Sequence, residues 1–328
     1  MLLLLSLYNA SSAAESGNSP TSSTEQNVFS LDNYGAHGDG EHDETQALAK
    51  AWNAACSSSR PAELLVPKGK SYLLKSTTLS GPCKSTVVLM VENLKILNSQ
   101  QIHMSIEDCT NVRLASLSIT APGTSPNTDG IHITRSKDVQ VRDCVIKTGD
   151  DCMSIEDGTH NLHVTKVVCG PGHGISIGSL GDDNSRAEVS GITIDSVQLY
   201  GTTNGARIKT WQGGSGYAKD ITFQNIIMDN VQNPIIIDQN YCDSDKPCQN
   251  QESAVEISNI IFKNIRGTTT SKDAIMLSCS KNSPCSDIAL ENIELKLEGG
   301  KGDTESTCQN AIWRKSGNVV PLPCKGDN

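Results

Sequence analysis

The chain has 328 residues, only 4% of them aromatic, so its core has to be built from Ile, Val, Leu and Ala. Its formal net charge of -10 and sequence pI of about 5.2 argue against nucleic acid or an anionic membrane as the main partner, since both need a basic face. The length suits two average domains or one large all-β unit, and an anionic substrate would need a local cationic patch.

Residues 2 to 5 are four leucines, followed by Ser-Leu-Tyr and then small residues from Ala10 to Ala14. This pattern reads as the apolar core and cleavage region of a secretory leader, without the usual positive n-region. Residues 11 to 27 are rich in Ser, Thr, Asn and Glu and lack periodicity, so they read as a mobile lead-in. The sequon Asn9-Ala10-Ser11 would leave with the leader. The expected division is residues 1–27 as leader and lead-in and residues 28–328 as a single catalytic domain. No later apolar run approaches the roughly 20 residues of a membrane span.

Val28 to Leu31 suits a short strand, followed by a Gly-rich turn from Tyr34 to Gly40. Asp43, with Gln46 three residues on, reads as a helix N-cap, after which Ala47, Leu48, Ala51, Trp52 and Ala55 fall on one face. His37 and His42 read as turn residues and not as metal ligands. Leu64-Leu65-Val66 and Tyr72-Leu73-Leu74 read as strands around a Pro67-Lys68-Gly69 turn.

From Asn93 onward the chain repeats. Asn93 to Ile96, Asn111 to Leu114, Asp138 to Val141, Asn161 to Val164, Gly191 to Ile194, Asp220 to Phe223, Asn259 to Phe262 and Asp287 to Leu290 share one pattern, eight copies in all. Each copy except the last is followed by a second apolar strand, from Ile102-His103-Met104, Ile131-His132-Ile133, Met153-Ser154-Ile155 and Ile175-Ser176-Ile177 to Ala206-Arg207-Ile208, Ile235-Ile236-Ile237 and Ile275-Met276-Leu277. Repeats of this size with Asn and Gly turns predict a parallel β-solenoid with a short N-terminal helix. A doubly wound α/β fold would need helices between these strands, and a sandwich would not explain the repeat.

Aligning the coils on their second strands assembles a site. Asp129 precedes Ile131 by two residues, Asp151 precedes Met153 by two, and His173 precedes Ile175 by two, at a spacing of 22 residues. They share one phase on three successive coils. Next along, Ala206 and Ile208 point inward and send Arg207 and Lys209 outward. The expected surface carries Asp129, Asp150 and Asp151, His173 and two cations. Taken singly, Asp129-Gly130 is a turn dipeptide, Gly172-His173-Gly174 a loop, and Arg207 with Lys209 an exposed edge. Unrelated turn residues have no reason to gather acid, base and cation on adjacent coils. Crowded carboxylates raise the pKa of one member, which places a proton donor beside an ionised partner as glycoside hydrolysis requires. The cations would bind a carboxylated sugar. An all-oxygen calcium site would not want two cations beside it.

Twelve cysteines suggest disulfides in an exported protein. Cys242 with Cys248 and Cys279 with Cys285 are local pairs, while Cys308 with Cys324, Cys152 with Cys169 and Cys56 with Cys83 would close longer loops. Cys109 and Cys144 are left over, Cys144 on an apolar repeat position that suits a buried thiol. No CxxC or paired Cys/His spacing supports zinc.

Asn127-Thr128-Asp129-Gly130, Gly149-Asp150-Asp151-Cys152, Gly172-His173-Gly174 and Arg207-Ile208-Lys209, in this order and spacing, resemble the polygalacturonases of glycoside hydrolase family 28. Thr210 to Gly216 and Asn233 to Cys242 look like its plant members, and the resemblance spans residues 28 to 324. It implies a right-handed parallel β-helix that hydrolyses α-1,4 bonds between galacturonate units with inversion and no cofactor or metal. Asp150 would be the general acid, with Asp129 and Asp151 holding and deprotonating water, and His173 tuning the acid. Arg207, Lys209, Tyr241 and Asn127 would bind substrate. A secreted, monomeric cell-wall enzyme is implied, with internal attack expected ahead of attack from the chain end. Family members usually carry further coils before Gln100, including a GGGxxDGxG turn, and here only Lys84 to Glu92 separates Cys83 from the first repeat copy. An inactive cell-wall or pollen-type homologue, and a calcium-dependent pectate lyase, are the competing readings.

Overall fold

The computed structural model describes residues 5–8, 27–74, 77–81, 83–92, 94–243, 248, 251, 254–300, 302–322 and 324. The leader residues 2–4 and 10–14, the lead-in through residue 26 and the sequon lie outside them. Among the described residues, strands run parallel in a ten-stranded sheet, a sixteen-stranded sheet and a two-stranded pair. The architecture is the right-handed parallel β-helix expected.

The repeat copies stack in one column of the larger sheet. Leu114 pairs in register with Val141, and the column continues through Val164, Ile194, Phe223 and Phe262 to Leu290. All seven are buried, and the rings of Phe223 and Phe262 stack 5.4 Å apart. The first residue of each of these copies, Asn or Asp and once Gly, has φ between 52° and 70°. Asn and Asp tolerate this left-handed region better than other side chains, so the repeated Asn and Asp mark where each coil turns. The Asn93 copy is a correction: Ile96 pairs with Ile119 in a neighbouring column, and Val91 is the residue beside Leu114. Both columns alternate apolar and polar residues, so one short copy does not reveal which it joins.

The second strands form the ten-stranded sheet. Its inward column runs from Met104 through Ile131, Met153, Ile175, Ala206 and Ile235 to Ile275. The reading of Ile102-His103-Met104 as one of these strands is therefore two residues early, and Ser105 takes the outward place. His103 is fully buried, with its Nδ1 3.0 Å from the Asp129 carbonyl.

The helix Thr45–Cys56 buries Ala47, Leu48, Ala51, Trp52 and Ala55, as its periodicity predicts. Its N-cap is Glu44, not Asp43. Asp43 instead accepts from the Thr45 N–H, and Glu44 Oε1 accepts from the His37 and Gly38 amides. His37 and His42 stack on each other in this turn. Leu5–Tyr8, expected within the leader, forms a strand between Thr77–Ser80 and Met104–Glu107 in the ten-stranded sheet. Five disulfides join the cysteines as paired from the sequence, and Cys109 and Cys144 are buried. Among the described residues no helix is long and apolar enough to cross a membrane.

Candidate active site

Three successive coils place Asp129, Asp151 and His173 in the phase given by their spacing, because Ile131, Met153 and Ile175 are direct register partners. Asp150 sits beside them and is held from several sides. Its Oδ1 accepts from the Asp151 amide at 2.8 Å and lies 2.9 Å from His173 Nδ1, while its Oδ2 accepts from the Asn127 amide at 3.2 Å. Asn127 is left-handed at φ 55° with an exposed side chain, so its contribution here is a backbone N–H. His173 comes close because its flanking residues are Gly172 at φ 140° and Gly174 at φ 87°; a Cβ on Gly172 would lie 2.5 Å from the Asp150 carbonyl oxygen.

Arg207 and Lys209 do project outward, and both meet Asp151. Arg207 Nη2 lies 2.7 Å from Asp151 Oδ1 and Lys209 Nζ 3.0 Å from Oδ2. Ser176 Oγ donates to the same Oδ1 at 2.8 Å and accepts from Arg207 Nε at 2.8 Å. Asp151 is 1% exposed, so this buried carboxylate depends on its two cations. Tyr241 covers the pair, its ring centroid 5.3 Å from Lys209 Nζ and 5.2 Å from the Trp211 ring. Beyond Tyr241 a groove of about 480 Å³ continues past Trp211, Gln212, Asn240 and Asp182. Among the described residues the buried indole N–H of Trp211 has no hydrogen-bond partner.

The surroundings drive the carboxyls apart. Burial, then the charge of Asp151, pushes Asp129 up to about 6, with Asp150 adding to the rise and Ser154 and Lys209 opposing it. Asp150 is desolvated too, but the His173 contact and the Asp151 amide bring it below the usual carboxylate range. The same contact raises His173 above the ordinary imidazole value against its own burial. With Asp150 lowered and His173 raised, the proton of this coupled pair rests on His173 beside an ionised Asp150. Glu156, absent from the sequence-based site, is pushed up to about 8 by burial, with Lys209 opposing and Asp151 and Asp129 reinforcing the rise.

Ligand atoms of Asp150, Asp151 and His173 lie within 4.8 Å of one another, close enough to bracket a metal ion. Both oxygens of Asp151 already pair with cations, which leaves this trio a poor donor set for a divalent ion. Sequence reasoning missed His132, Ser154, Ser176 and Glu156 as members of this neighbourhood. The signal was present for the first three, which occupy the same outward position as Arg207 on preceding coils.

The family description Glycosyl hydrolases family 28 matches residues 88–317. A polygalacturonase of Persea americana is 44% identical over 359 aligned residues, covering 87% of this chain and 77% of that protein. Polygalacturonase QRT2 of Arabidopsis thaliana is 38% identical over 368 aligned residues, covering 90% of this chain and 84% of that protein. Both alignments are longer than the 328-residue chain, so these relatives carry internal segments that it lacks. Among solved structures, an endo-xylogalacturonan hydrolase from Aspergillus tubingensis superposes with a TM-score of 0.64 at 19% identity, covering 89% of this chain and all of that one.

Proposed function

The chain belongs to glycosyl hydrolases family 28, and on that premise we propose that it is a polygalacturonase, hydrolysing α-1,4 bonds between galacturonate units of pectate and pectin with inversion. The observation that carries this reading is the convergence of Asp129, Asp150, Asp151 and His173 with Arg207 and Lys209 on adjacent coils.

In this reading Asp150 relays to the glycosidic oxygen the proton that His173 holds 2.9 Å away. Asp129 and Asp151 hold the attacking water. Both oxygens of Asp151 are occupied by Ser176, Arg207 and Lys209, so Asp151 orients the water and Asp129 takes its proton. One O–H bond of water breaks as oxygen bonds to the anomeric carbon from the face opposite the leaving oxygen, which is inversion. Arg207 and Lys209 face the cleft with charge to offer a sugar carboxylate. Trp211 and Tyr241 supply aromatic surface where the sugar chain continues, and Asn127 borders the acid. In the same reading the protein acts outside the cell, on pectin in the wall, as a monomer with one catalytic domain.

Reducing-end release from de-esterified polygalacturonate tests the proposal. Asp150→Asn should lower turnover by at least about a hundredfold while leaving the fold and oligogalacturonate binding intact. A chelator should leave the wild-type rate unchanged. Binding without cleavage by the wild-type protein would favour the inactive homologue, and chelator-sensitive release of an unsaturated, ultraviolet-absorbing product would favour the lyase.

A further inference from the structure

Among the strands of the ten-stranded sheet, Arg207 and Lys209 are the only arginine and lysine. The outward position of Arg207 continues on the following coils as Ile236, Met276 and Thr307, and that of Lys209 as Asp238, Ser278 and Gln309. On the preceding coils the Arg207 position is held by Ser176, Ser154 and His132. Arg135, at the turn after Thr134, is paired with Asp108 and Glu107. Positive charge on this face is therefore confined to one coil. Asp151 cancels one of its two charges, which leaves enough for a single ligand carboxylate.

The groove that continues beyond Tyr241 has the opposite sign. At about 480 Å³ it is large enough for a small ligand, and its charged lining among the described residues is Asp182 and Asp183, both exposed. Gln212 ties its walls together: the amide donates to Asn240 Oδ1 and accepts from the Gln251 N–H at 2.8 Å. Side-chain amides suit sugar hydroxyls, and the rings of Trp211 and Tyr241 suit the apolar face of a sugar. Between Cys242 and Ala254 the sequence adds Asp243, Asp245 and Glu252 against Lys246, again a negative balance.

We propose that the cleft requires a free carboxylate only from the sugar unit at Arg207 and Lys209, and that the groove beyond Tyr241 takes an uncharged unit, a methyl-esterified galacturonate, ahead of galacturonate itself. This rests on the polygalacturonase reading. A galacturonate in the groove would meet Asp182 and Asp183 with no lysine or arginine among the described lining residues. Esterification removes that repulsion and adds a methyl group, which the apolar floor at Ile236 and Met276 can receive. Like charges about 4 Å apart in water disfavour each other by a factor of about five, and salt screens the effect. Asp182 and Asp183 are thereby specificity-determining residues, remote from the bond that breaks.

The test digests randomly half-esterified pectin and locates the methyl esters in the products by mass spectrometry. Wild type should leave the unit bound at Arg207 and Lys209 free of ester and enrich ester about fivefold over free acid at one fixed position on the same side of the cut. The enrichment should shrink as salt rises. Asp182→Asn/Asp183→Asn keeps the Asp182 oxygen that accepts from the residue 183 amide at 2.8 Å, and should bring ester at that position to the average of the substrate. Met276→Lys, which puts a cation on the floor, should shift the position toward free acid. No enrichment in wild type, or an enrichment unchanged in both folded variants, would overturn the proposal. If wild type cleaves nothing, the polygalacturonase reading fails. Calorimetric binding of esterified and free oligogalacturonates to the same three proteins then decides the preference of the groove, and equal affinities for wild type would overturn it.

Discussion

Replacing Lys209 by Met keeps the apolar stem and deletes one of the two charges that neutralise Asp151. The ammonium is 3.0 Å from Asp151 Oδ2, and the two side chains are 11% and 1% exposed. At that separation an effective dielectric of about 20 gives an attraction of about 5 kcal/mol. Desolvation of the two ions offsets much of it, and breaking a buried pair from one side costs about 3–5 kcal/mol. Arg207 remains 2.7 Å from the other oxygen, so the expected loss is near the bottom of that range, about 3 kcal/mol. Urea unfolding of wild type, Lys209→Met, Asp151→Asn and the double variant measures it. The double variant should be more stable than the sum of the single losses predicts, by at least about 1.5 kcal/mol. Losses that add to within about 0.5 kcal/mol would refute the claim that Asp151 depends on this cation.

Two further outcomes follow from the site. Since Asp129 must be ionised to take the proton of water and is pushed up to about 6, kcat/KM should fall about tenfold per pH unit below that value. A profile flat down to about pH 4 would remove Asp129 from the base role. The alkaline limb should lie above the ordinary imidazole value because His173 is raised by Asp150, and His173→Gln should change its position. The disulfide Cys152–Cys169 spans 17 residues and begins directly after Asp151. Loop-closure entropy gives its removal a cost of about 3 kcal/mol, so Cys152→Ala/Cys169→Ala should lower the unfolding free energy from a urea titration by that amount, and no loss would mean the bridge does not constrain the unfolded chain.

What the sequence made legible was whatever depends on period. The spacing of 22 residues from Asp129 to Asp151 to His173 fixed their common phase, because those coils have equal length. From His173 to Arg207 the coil is longer, and only the three-dimensional register shows both cations converging on Asp151. The same limit explains the two misplaced copies near the N-terminal end. Alternation at period 2 shows that a stretch is a strand but not which column it joins, and Asn93 to Ile96 fits either one. Ile102-His103-Met104 and Met104-Ser105-Ile106 alternate equally well, so the choice rests on pairing with Ile131. His132 and Ser154 were in view as polar members of apolar strands. Their hydrogen bonds run across coils, which a linear reading does not connect. Asp43 satisfied the capping pattern, but Glu44 was drawn into the turn by the His37 and Gly38 amides.

The parallel stacking makes the chain a set of nearly interchangeable turns, with strand hydrogen bonds running only to the turn on either side. This separates two kinds of sequence change that are similar in size. A whole turn removed upstream of Asn93 changes how tall the solenoid stands and leaves the spacing among Asp129, Asp151, His173 and Lys209 as it was. A single residue inserted between Arg207 and Lys209 shifts the rest of that strand by one and turns an outward cation inward. The lineage of such a protein can therefore gain and lose length in full turns far more freely than it can tolerate one extra residue inside the site.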